Sequence, residues 1–149
     1  MKLLSTLVLM LGAAACGATA ADPWQPAQMI QPAELKQLID SGKPPVILMV
    51  GPRILYNGAH IKGASFAGPA GSPEGLDRFH QALAKIPVTA DLVIYCGCCP
   101  MERCPNIRPA FQLLKEMKYT HVRVLQVPTN LPTDWTAKGY PVEKGDIAK

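Results

Sequence analysis

The sequence predicts an α/β domain built around a parallel sheet, and three observations carry that prediction. Short runs of aliphatic residues alternate along the chain with segments of helical period. The two central runs, Val46-Ile47-Leu48-Met49-Val50 and Leu92-Val93-Ile94-Tyr95, are apolar throughout, which marks strands buried on both faces. The chain has 149 residues, a length that suits one domain, and 48% hydrophobic residues are enough for a core. Parallel strands require right-handed crossovers, so helices are expected on both faces of the sheet.

The elements follow in order. Residues 28–30 are predicted as a short first strand. Residues 32–41 read as a helix, with Leu35, Leu38 and Ile39 on one face, Pro32 in the first turn and Gly42 as the stop. Lys43-Pro44-Pro45 is a turn, and residues 46–50 form the second strand, ended by Gly51-Pro52. Residues 53–63 read as an irregular connector, 64–67 as a short strand and 68–73 as a Gly/Pro loop. A helix is expected over 74–86, where Leu76, Phe79, Leu83 and Ile86 make the apolar stripe before Pro87. The strand at 92–95 runs directly into a cysteine-rich loop. The next helix starts near Asn106, read as its N-cap, with Ile107, Ala110, Phe111, Leu114 and Met117 on one face. Residues 122–127 are the last predicted strand, and 128–149 read mostly as loop around Trp135 and Tyr140.

The first residues read as an export signal. Met1-Lys2 supplies a positive start, 3–15 is an apolar run too short to span a bilayer, and Ala18-Thr19-Ala20 fits a small-x-small cleavage site. Residues 1–20 are therefore expected to be cleaved, leaving 21–149 as one domain with a core of about 28–143 in an exported, periplasmic setting. Lipidation at Cys16 is the rival reading. The net charge of +4 comes without any Lys/Arg block, which argues against a nucleic-acid partner. No membrane-spanning segment is expected either, and oligomeric state has no signature here.

Beyond Cys16, the cysteines are Cys96, Cys98, Cys99 and Cys104, all within one loop between a strand and a helix. A disulfide scaffold spreads its cysteines along the chain, so this clustering points to a site. Backbone N–H groups at the helix N-terminus make a positive potential, which lowers the pKa of a facing thiol from ~8.5 toward roughly 3.5–7.5. The thiolate is the nucleophile, and Cys96 directly follows the strand. Arg103 and Arg108 are candidates to add positive charge for an anionic substrate. Three readings stay open. Cys96 accepts sulfane sulfur; or Cys96, Cys98, Cys99 and Cys104, with Met101, hold copper or zinc; or disulfides merely stiffen the loop, in which case Cys104 is a better partner than the adjacent pair Cys98-Cys99.

Several motifs in order resemble the rhodanese-like family. Gly58-Ala59-His60-Ile61-Lys62-Gly63-Ala64 is similar to its GHIxGA signature, and Leu92 to Cys96 is similar to the strand that ends in its active-site cysteine. Ala110-Phe111-x-x-Leu114, His121-Val122-x-Val124-Leu125, Trp135 and Lys138-Gly139-Tyr140-Pro141-Val142 resemble the following segments, so the similarity spans about 28–143. The resemblance implies a five-stranded parallel sheet flanked by helices on both faces. It also implies that Cys96 carries a persulfide from a small anionic sulfur donor to a thiol acceptor, with no cofactor required. The chain departs from the family in a longer loop with three extra cysteines, in Gly51-Pro52-Arg53 where Asp-x-Arg is usual, and in Pro128-Thr129-Asn130 before Trp135. Cys98, Cys99 or Cys104 would then resolve the persulfide as a disulfide.

The remaining polar residues are assigned structural roles. His60 is expected to hold the connector and Trp135 to anchor the core. His80 and His121 read as surface or packing residues. Arg53 and Arg108 are open to salt bridges or anion binding. Glu102 and Asp134 have no partner visible in the sequence. The competing functions are thus a sulfurtransferase or thiol-redox enzyme, a non-enzymatic metal-binding module, and an interaction domain with a disulfide-locked loop.

Overall fold

The computed structural model describes residues 22–145. The expected leader, its cleavage site and Cys16 lie outside those residues. Five strands form the central sheet: β1 (Met29–Ile30), β2 (Val46–Met49), β4 (Ser65–Phe66), β5 (Asp91–Tyr95) and β6 (His121–Leu125). They are all parallel and ordered β1-β6-β5-β2-β4, so β5 and β2 are central. The predicted five-stranded parallel sheet is thus present.

Helices cover both faces, and the alternation of side chains along β2 and β5 shows how. Leu48, Val50, Leu92 and Ile94 face one cluster, which Phe79 and Leu83 of α3 (Pro73–Leu83) and Phe111 and Leu114 of α4 (Ile107–Glu116) complete. Ile47, Met49, Val93 and Tyr95 face the other, shared with Leu35 of α1 (Pro32–Asp40), Leu131 and Trp135. Leu92, Val93, Ile94 and Tyr95 have no exposed surface, which accounts for a run without polar alternation. At about 25 cal/mol per Å² of apolar surface removed from water, burial on both faces makes each of these strand residues strongly stabilising.

The helices start and stop for local reasons. Pro32 and Pro73 open α1 and α3 at positions where a missing N–H costs nothing. Ser72 Oγ accepts from Gly75 N at 3.1 Å and caps α3. The predicted helix over 74–86 ends at Leu83, because the approach to Pro87 loosens its last turn.

Two regions expected to be irregular are ordered. The connector contains α2 (Arg53–Gly58) and β3 (His60–Ile61), and the tail contains α5 (Leu131–Asp134), a 3₁₀ turn at Thr136–Lys138 and β7 (Val142–Glu143). β3 and β7 pair antiparallel, His60 with Glu143 and Ile61 with Val142, as a small second sheet. No helix among the described residues is long and apolar enough to cross a membrane.

Candidate functional site: a thiol cluster at the end of the central strand

The crossover after β2 runs to β4 on one side of the sheet, and the crossover after β5 runs to β6 on the other. The crevice at such a reversal, beyond the carboxyl ends of the strands, is where this architecture binds ligands. Gly51 and Cys96, the residues just past β2 and β5, meet there. A Cβ on Gly51 would lie 2.4 Å from the Cys96 carbonyl oxygen and 3.1 Å from Cys96 Sγ, so only glycine lets the two strand ends approach this closely.

Cys96 continues the alternation of β5 and turns its side chain toward α4. Gly97 follows at φ +78°, a left-handed conformation that suits glycine, and bends the loop away from the strand. Backbone hydrogen bonds then strap the loop to the segment after β6: Leu131 N donates to Gly97 O at 3.0 Å and Met101 N to Val127 O at 3.3 Å. A 3₁₀ turn at Met101–Arg103 brings Cys104 back under the first turn of α4.

This path gathers the sulfurs. The Sγ atoms of Cys96, Cys98 and Cys104 lie within 4.8 Å of one another. Cys96 Sγ is 3.2 Å from Cys98 Sγ, which is 3.0 Å from Cys99 Sγ. Cys96 and Cys104 are buried, Cys98 and Cys99 are half-buried, and all four are free thiols. Cys99 falls outside the group of three, so the four-sulfur set read from the sequence divides. Met101 packs into the core cluster on the α3–α4 side.

The thiol that faces the N-terminal amides of α4 is Cys104, not the Cys96 that follows the strand. The neighbouring Cys96 thiol, aided by the backbone N–H groups of Asn106 and Ile107, lowers Cys104 to about 6 against the effect of burial. The same contact with Cys104, together with burial, pushes Cys96 up. Burial and the Cys98 thiol push Cys99 up to about 12. Of the two thiols, Cys104 is therefore the one whose ionised form the fold favours, and Cys96 the one it disfavours.

Asn106 is the residue that sequence reasoning misassigned. It stands at the N-cap position of α4, but its side chain makes no cap. It is buried, its Nδ2 donates to Cys96 Sγ at 3.3 Å, and its Oδ1 accepts from Gly71 N at 2.8 Å. Asn is common at helix starts as a cap, and that commoner role masked this one.

The other predicted residues divide. Arg108 is committed to structure: its Nη2 reaches Asp22 at 2.5 Å, its Nη1 donates to Met101 O at 3.3 Å, and it lies over the Trp24 ring. Arg53 stacks on Phe66 with its guanidinium 4.0 Å from the ring centre. Arg103 and Glu102 are exposed on the loop. His60 is buried away from the thiols, stacked on Tyr56, and its Nδ1–H donates to Tyr56 O at 2.7 Å. Trp135 is a core anchor whose Nε1 donates to Pro141 O at 2.9 Å. His80 and His121 are exposed. Asp134 does have partners, accepting from Thr129 N at 2.7 Å and Asn130 N at 3.1 Å. Beside the cysteine loop, a cavity of about 250 Å³ has Gly97, Met49, Ile54, Leu55, Leu131 and Pro132 in its largely apolar wall.

No protein-family model and no curated protein matches the chain. Solved structures do. The rhodanese-like domain of the Alr3790 protein from Anabaena sp. is 22% identical, with a TM-score of 0.59 over 82% of this chain and 83% of that one. A thiosulfate sulfurtransferase from Pseudomonas aeruginosa is 24% identical, with a TM-score of 0.56 over 80% of this chain and 20% of that one. A variant of EanB bearing a cysteine persulfide, in a tetrahedral intermediate state with ergothioneine, is 25% identical, with a TM-score of 0.58 over 78% of this chain and 28% of that one.

Proposed function

Because the chain folds as a rhodanese-like domain, we propose that it is a sulfurtransferase-like thiol enzyme in which Cys96 carries sulfane sulfur. The observation that supports this reading most is the placement of Cys96. It follows the central strand β5, within reach of two further thiols and under a donor from Asn106.

The chemistry follows from the thiol pair. Cys96 gives its proton to the Cys104 thiolate as its sulfur attacks the outer sulfur of a donor R–S–S⁻. One S–S bond forms, one breaks, and R–S⁻ leaves with the electron pair. The product is a Cys96 persulfide, with Asn106 Nδ2 placed to stabilise negative charge on it. Two exits are open to it. An external thiolate attacks the terminal sulfur and restores the Cys96 thiol. Alternatively, the Cys98 thiolate attacks the inner sulfur, forming a Cys96–Cys98 disulfide and releasing HS⁻. In the second exit the sulfane sulfur is reduced and the two cysteines are oxidised, so an external dithiol must reduce the protein before another turnover. The leader-like sequence of residues 1–20 supports an exported setting for this activity.

The test is the intact mass of the reduced protein before and after thiosulfate and, separately, an organic persulfide. Gain of one sulfur atom, abolished in Cys96→Ser, is the expected result. No gain with either donor, or a gain that survives in Cys96→Ser, refutes the assignment. The mass before reduction reads out the disulfide-locked alternative directly, through two missing hydrogens per bond.

A further inference from the structure

We propose that Cys96, Cys98 and Cys104 form a three-thiolate site for monovalent copper, with Cys99 outside it. The three Sγ atoms lie within 4.8 Å of one another, so small side-chain adjustments let all three reach one ion. They come from three points of the loop: the strand end, the bend after Gly97 and the approach to α4. The straps from Leu131 to Gly97 and from Met101 to Val127 hold that loop in place without any ion.

The donor set selects the metal. Thiolates are soft ligands, and among biological cations they favour Cu(I), zinc and iron–sulfur clusters. A structural zinc site needs four protein ligands in a tetrahedron. Here the fourth thiol, Cys99, adjoins Cys98 and Cys104 but is not among the sulfurs that all lie within 4.8 Å of one another. The group that faces the cluster at Cys96 is the Asn106 amide, which donates to Cys96 Sγ and is an outer-shell partner rather than a ligand. Three thiolates all within reach of one ion suit trigonal Cu(I). Cys96 and Cys104 have 5% and 2% of their surface exposed, which shields the ion from water and oxygen, and half-buried Cys98 marks the side of entry.

Binding leaves the oxidation states unchanged. Three Cu–S bonds form, and each thiol still protonated releases its proton to solvent. The two N–H groups at the α4 N-terminus face the negative charge that the site keeps. Because copper takes Cys96, a copper-loaded molecule cannot use Cys96 to accept sulfur. The assignment rests on the positions of the sulfurs and holds whether or not Cys96 carries a persulfide.

The experiment is an anaerobic titration of the reduced protein with Cu(I) in competition with bicinchoninate, with X-ray absorption of the loaded protein and a parallel Zn(II) titration. The expected result is one Cu(I) per chain with three sulfur neighbours. Cys98→Ser should weaken binding by roughly 100-fold or more, beyond what loss of an outer-shell partner does, and Cys99→Ser should leave it within about threefold, below even the outer-shell range. Cys98 is half-buried, so its variant keeps the test sound if the buried Cys104→Ser variant fails to fold. Equal losses in Cys98→Ser and Cys99→Ser, four sulfur neighbours, several coppers per chain, displacement by equimolar Zn(II), or no copper held against bicinchoninate would each overturn the proposal.

Discussion

Removing the Cys104 thiol should erase a specific pH dependence of stability. Cys104 titrates near 6 in the fold, because the Cys96 thiol and the Asn106 and Ile107 amides favour its thiolate. In the unfolded chain a cysteine titrates near ~8.5. A folded pKa below the unfolded one means that the native state is favoured increasingly as pH rises from about 6, and that the gain is lost as pH falls back through that value. The interval is about 2.5 units, and at 1.36 kcal/mol per unit the upper bound is about 3 kcal/mol between about pH 6 and pH 8.5. Above that window the effect reverses, because Cys96 is held protonated in the fold and resists the ionisation that the unfolded chain allows. The assay is urea unfolding of metal-free, fully reduced protein across the window, for the natural chain and Cys104→Ala. The natural chain should gain stability from about pH 6 to about pH 8, by an amount up to that bound, and Cys104→Ala should lose most of that slope. Equal slopes in the two proteins would show that the charge does not sit on Cys104, and would remove the proton acceptor from the proposed attack.

Three other substitutions address the frame of the site. Gly51→Ala would put a Cβ against the Cys96 carbonyl and sulfur, and the overpacking should cost about 1–3 kcal/mol, read as a lower urea midpoint. Asn106→Ala leaves Gly71 N without its acceptor and Cys96 without its donor. It should cost about 1–3 kcal/mol and slow persulfide formation, and an unchanged rate by mass spectrometry would deny Asn106 a role in positioning Cys96. Asp134→Ala removes the acceptor of both Thr129 N and Asn130 N; a loss of about 1–3 kcal/mol in thermal or urea unfolding is expected, and a neutral result would show that solvent serves those amides equally well.

The central architecture was legible because it has a local signature. An apolar run such as 92–95 reports burial on both faces by itself, and the Ile107–Leu114 stripe reports helical period. The small sheet had no such signature. Each of its strands is two residues long, and His60 meets Glu143 only through the closed fold. The site was legible as a place and less so as an arrangement. Four cysteines in one loop identified it, but which sulfur faces the α4 amides depends on the turn at Met101–Arg103, and spacing does not encode that turn. Asn106 illustrates a different failure, since one residue type serves two roles at the same position and only the side-chain torsion tells them apart.

The pairing of β3 with β7 also bears on how the molecule is made. Gly145 N donates to Asn57 O at 3.1 Å, so the same late segment that covers His60 and Ile61 also holds the C-terminal end of α2. α2 supplies Ile54 and Leu55 to the wall of the cavity beside the cysteine loop. On the ribosome, the sheet, α3 and α4 can assemble as soon as β6 emerges, but that wall has no clamp until residues 142–145 leave the exit tunnel. The thiol loop can therefore form before the wall that α2 supplies is clamped in place.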